Sequence, residues 1–77
     1  MNTRDLYLLV REANAQGTRR RRGSAPQSVG DAAGFARLEA LGLVEVSPYC
    51  YREATLFRIT TKGLRFVREC VKRLEIA

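Results

Sequence analysis

The sequence predicts a single α+β domain, mostly helical, in which a short two-stranded hairpin sits between helices. Three observations predict it. Leu38 and Leu41 lie three apart and are followed by Gly42 and apolar Leu43, the pattern of a helix ended by a left-handed glycine. Val44-Glu45-Val46 and Leu56-Phe57-Arg58-Ile59-Thr60 then switch to a period of two, the strand signal. Finally Leu64, Val67, Val71 and Leu74 return to steps of three and four, a heptad-like helical seam.

The first helix is expected over residues 2–16. Asn2 or Thr3 can cap it, and Asp5 lies in the first turn, where a carboxylate favours the dipole. Leu6, Leu9, Val10 and Ala13 fall on one face, widened by Tyr7 and Leu8, and Gly17 ends it. Residues 17–27 break the pattern. Arg19, Arg20, Arg21 and Arg22 are adjacent, repel one another and cannot be buried, so they form a solvated basic loop or one charge-covered helical turn. This run reads either as a surface loop that keeps the chain soluble or as a phosphate-binding arm, and the arm is the favoured reading. Neutralising about four phosphates would give a salt slope near −3.6.

The next helix is expected over 28–41, opened by a capping box of Ser28 and Asp31. Gly34, Phe35, Leu38 and Leu41 fall on or beside its inner stripe; Gly30, Ala33, Arg37 and Ala40 fall opposite. Gly30 and Gly34 each cost about 1 kcal/mol relative to alanine in a helix interior. Close helix packing and close approach to a DNA backbone are both open explanations. Residues 43–60 make the hairpin, with Val44 and Val46 facing Phe57 and Ile59, and Arg58 facing outward. Its tip holds Pro48, Tyr49, Cys50, Tyr51, Arg52, Glu53 and Ala54; the two tyrosines either pad the hairpin or touch a sugar-phosphate backbone. The last helix is expected over 61–75, capped by Thr61.

Two phrases in this frame, Leu38-Glu39-Ala40-Leu41-Gly42-Leu43-Val44 and Phe57-Arg58-Ile59-Thr60-Thr61-Lys62-Gly63, strongly resemble winged helix-turn-helix transcription regulators of the MarR/PadR type and their small archaeal relatives. The resemblance covers about half the chain. It implies that the first phrase ends the recognition helix, residues 28–41, and that the second ends the wing and opens the last helix. Here only the eleven residues 17–27 lie between the first helix and the recognition helix, so the family's second helix must be very short or missing.

Composition bounds the function. The 77 residues make one domain, 1–77, and a chain this short buries only about 60% of its unfolded surface, so a partner copy is expected to help stabilise it. The net charge of +6 favours a polyanion. Residues 1–27 carry +4, residues 28–60 carry −1 and residues 61–77 carry +3, and twelve of the fourteen bases are arginine, suited to bidentate phosphate and guanine contacts. There is no histidine, no phosphate loop and no paired nucleophile and base, so an enzyme is not expected. Cys50 and Cys70 lack zinc-site spacing and read as free thiols or a disulfide, and neither a metal nor a cofactor is expected. No apolar run is long enough to span a membrane, and the N-terminus reads as an amphipathic helix rather than a signal peptide, so the expected location is the cytoplasm.

The expected function is sequence-preferring binding of double-stranded DNA by a small homodimeric transcription regulator. A non-specific architectural DNA binder and a protein-docking winged helix are the alternatives. Expected DNA contacts are Arg19, Arg20, Arg21, Arg22, Gln27, Ser28, Arg37, Arg52 and Arg58, with Arg37 suited to guanine, Gln27 to adenine and Arg52 to the minor groove or a phosphate. The recognition face is poor in long polar side chains, so phosphate contacts should dominate and base readout should be modest. The expected dimer contact runs through the last helix by Leu64, Val67, Val71 and Leu74.

Overall fold

A computed structural model of the chain describes residues 1–16, 23–48 and 55–76. In order these form α1 (Thr3–Gln16), α2 (Val29–Ala40), β1 (Val44–Val46), β2 (Phe57–Ile59) and α3 (Thr61–Ile76). The strands pair antiparallel, with Val44 opposite Ile59, Glu45 opposite Arg58 and Val46 opposite Phe57. The class is therefore α+β and mostly helical. Ser24 adds a one-residue bridge to the outer side of β2, its N–H and carbonyl both exchanged with Phe57 at 2.9 Å. No helix lies in 23–28; the arginine run and the hairpin tip, with Tyr49, Cys50, Tyr51 and Arg52, lie outside the described residues.

The expected boundaries hold to within a residue or two, and the phase of α1 does not. Asn2 caps α1, its Oδ1 accepting the Asp5 N–H at 2.8 Å. The buried stripe is Asp5, Leu8, Leu9 and Glu12, whereas Tyr7 is 63% exposed and Leu6 and Val10 are only half-buried. Five apolar residues in succession, 6–10, let either phase satisfy the hydrophobic pattern. The choice falls to polar partners, because burial of a carboxylate is tolerated only where it is hydrogen-bonded or neutral. Arg37 receives Asp5, and Glu12 is held against Ser24.

The core is Leu8, Leu9, Phe35, Leu38, Leu43, Val44 and Ile59, with Leu56 beside it. Phe35 of α2 stacks flat on Phe57 of β2 with ring centres 4.9 Å apart, which ties helix to hairpin. The α1–α2 contact accounts for one of the two α2 glycines. A Cβ on Gly34 would stand 2.6 Å from Leu8 Cδ1 and 3.0 Å from Asp5 Oδ1, so Gly34 is there for helix packing. At Gly30 only the far end of the Arg4 side chain is in the way.

The two sequence phrases meet in one joint. Gly42 has φ +75°, its N–H bonds to Glu39 O at 2.9 Å, and the Leu43 N–H bonds to Leu38 O at 3.0 Å. That pair of bonds is the Schellman closure of α2. Leu41, expected on the inner stripe, is instead the C-cap residue and is 51% exposed. The cap of α3 is Thr60 rather than Thr61: Thr60 Oγ1 accepts the Gly63 N–H at 3.0 Å and donates to Gly42 O at 2.7 Å. Lys62 Nζ donates to Leu41 O at 2.8 Å. The first turn of α3 thus satisfies the carbonyls left over at the end of α2. Val46 is 47% exposed, because a three-residue strand extends past the core.

Candidate nucleic-acid interface

Arg37 leaves α2 and turns back onto α1. Its Nε donates to Asp5 Oδ2 at 2.7 Å and its Nη2 to Asp5 Oδ1 at 2.9 Å. The hydrogen bond from Arg37 holds the Asp5 carboxyl below the usual aspartate range against the opposing effect of burial, and the same bond raises Arg37. A guanidinium reads guanine by presenting two N–H groups side by side. In Arg37 the Nε–Nη2 edge is taken by Asp5, so the side chain clamps helix to helix, while its half-exposed Nη1–Nη2 end keeps donors that a base or phosphate could meet.

Arg58 faces outward, as expected, and its Nε lies 2.8 Å from Glu45 Oε1 across the hairpin. Both partners are substantially exposed. Such a pair is worth little and can be exchanged for a phosphate. Ser28 is committed as the N-cap of α2, its Oγ accepting the Asp31 N–H at 3.1 Å. Gln27 and Ser28 are brought together with Val29, Ala32 and Thr55 around an open groove between the start of α2 and the root of the hairpin. Gly23, directly after Arg22 in sequence, precedes Ser24 on the same flank of β2.

The larger concentration of charge is elsewhere. α2 carries one base and two acids, with its one base clamped to Asp5; α3 carries five bases, Lys62, Arg65, Arg68, Lys72 and Arg73, against Glu69 and Glu75. Arg65, Arg68, Lys72 and Arg73 are all exposed. Residues 65, 68 and 72 share one side of the helix over about 10 Å, a length in which one DNA strand presents about three phosphates. The only described acid near them, Glu69, reaches Lys72 at 3.8 Å with both side chains well exposed. The +3 charge of residues 61–77 is legible in the sequence. What was hidden was that the one base of α2, Arg37, is tied along one edge to Asp5.

The expected dimer seam divides. Leu64 and Val67 pack against the core, while Val71 is 46% and Leu74 is 78% exposed. The core is too small to reach the last two turns of α3. Glu12 is 2% exposed and one of its carboxylate oxygens, Oε1, has no hydrogen-bond partner. Burial pushes its carboxyl above the usual glutamate range, offset in part by a hydrogen bond with Ser24. Cys70 is a half-buried free thiol. No described helix is long and apolar enough to cross a membrane. No family model, no curated protein and no solved structure matches the chain.

Proposed function

We propose that this chain binds double-stranded DNA, chiefly through phosphates. The observation that carries the reading is the solvent side of α3, where Arg65, Arg68 and Lys72 lie in line and are exposed. The net charge of +6 supports it, as does the run Arg19–Arg22 in the sequence. The order of the described elements, helix, bridge, helix, hairpin, helix, supports a winged-helix arrangement whose second helix is very short or missing. In that arrangement Gln27, Ser28 and Thr55 border the groove between α2 and the wing and supply what base contact there is.

Phosphate contact carries no sequence information, and α2 presents a single long donor, Arg37, with one edge engaged by Asp5. Preference among sequences is therefore modest, and regulation of transcription rests on that preference together with DNA shape. Titrating random-sequence duplex and duplex enriched by selection, each over a range of salt, tests the proposal. Affinity should fall steeply with salt on both, with a small advantage for the selected duplex. Binding that ignores salt, or none at low salt, would contradict it.

A further inference from the structure

α2 is apolar on two sides. Gly34, Phe35 and Leu38 are buried in the core. Val29, Ala33, Ala36 and Ala40, at steps of four, three and four, stack in one line on the solvent side, and all four are exposed, Val29 to 89%. A helix that is apolar all round is normally covered all round. Glu39 flanks this line on one side and Arg37, neutralised by its pair with Asp5, on the other, and α2 carries a net charge of −1. The end of α3 has the opposite character. Val71 and Leu74 stand beyond the core, flanked by exposed Arg68 and Arg73.

We propose that the end of α3 from one copy, through Val71 and Leu74, packs on the Val29, Ala33, Ala36 and Ala40 line of α2 in a second copy. The reciprocal contact closes a two-fold dimer, since each copy owns one of each surface. Alanines let a second helix approach closely and leave shallow holes for larger knobs. Charge selects this pairing over its rivals. Two α3 helices side by side would oppose five bases with five, and two α2 helices would oppose one acidic surface with another. Only α3 on α2 brings +3 to −1 while covering both apolar surfaces. Residues 65 and 72 stay on the far side of α3, with Arg68 at the edge of the contact, so the dimer does not depend on nucleic acid and leaves the far side free.

Cysteine crosslinking without DNA tests it. In a background with Cys50 and Cys70 replaced by serine, Ala36→Cys and Leu74→Cys are made as separate chains. Both sites are exposed, so folding is not at stake. Mixed and oxidised, they should form a covalent dimer containing one chain of each kind, in greater yield than either chain gives alone. In the native chain, Leu74→Glu should convert dimer to monomer in sedimentation. Leu74→Cys crosslinking better by itself would place α3 on α3. Ala36→Cys crosslinking better by itself would place α2 on α2. Either result, or a mixture no better crosslinked than its components, overturns the proposal.

Discussion

Gly63→Ala should unfold this domain more readily than its position in a helix suggests, and Gly30→Ala is the matched control. Both glycines sit in the first turn of a helix, so alanine gains up to about 1 kcal/mol of propensity at each. At Gly30 the new methyl meets the far end of the Arg4 side chain, which can swing into solvent. At Gly63 it collides with Leu43 O and stands 2.6 Å from Ile59 Cγ1. Leu43 O cannot retreat without loss, because it accepts the Thr60 N–H at 3.0 Å, and Ile59 is buried in the core. Overpacking costs about 1–3 kcal/mol and the strained hydrogen bond about 1 more. The net expectation is a loss of about 1–3 kcal/mol at Gly63 against a gain of up to about 1 at Gly30. In a domain of this size that separates the two melting temperatures by roughly 15 °C. Thermal melting followed by circular dichroism reads it directly. Equal melting temperatures would mean that α3 does not press on the α2–β1 turn as described.

Three further outcomes follow from the same contacts. Gly42→Ala should cost about 1–2 kcal/mol from backbone conformation alone, because its Cβ would stand at an ordinary 3.6 Å from Lys62; Gly42→Asn should cost less, and equal losses in chemical denaturation would contradict this. Glu12 is raised above 4.5, so its neutral form is favoured by folding, and its contribution is lost as pH rises through the folded value. Asp5 is lowered below 3.8, so its contribution is lost only as pH falls through its own folded value. Glu12→Gln should therefore match the native chain near pH 4.5 and become progressively more stable than it toward neutrality; a difference constant with pH would refute the assignment. Arg37→Gln should destabilise the fold by orphaning the Asp5 carboxylate yet leave the salt slope of DNA binding unchanged, and a flatter slope would return Arg37 to the interface.

The parts of the fold set by local chemistry were legible. Gly42 followed by Leu43 announces a helix end, Ser28 and Asp31 announce a beginning, and alternation in 44–46 and 57–59 gives strands whose register follows from which residues are apolar. The parts set by distant partners were not. The rotation of α1 depends on Arg37, thirty-two residues from Asp5, and nothing in either neighbourhood records that pairing. The same ion pair ties up one edge of Arg37, which leaves most of the unpaired positive charge of the described helices on α3. Thr60 and Thr61 are equivalent as caps in sequence; only the position of Gly42 O, brought in by the hairpin, selects Thr60. The apolar solvent line of α2 was visible as small residues but had no meaning until its inner face was known.

The most direct measurement is the salt dependence of duplex binding for the native chain and for a variant with Arg65, Arg68 and Lys72 all changed to glutamine. These side chains are exposed, so the fold should survive, and circular dichroism can verify that. If each contacts a phosphate, the variant should bind more weakly to every sequence and its logarithmic salt slope should be shallower by about 2.7. An unchanged slope on a folded variant would show that α3 does not face the duplex.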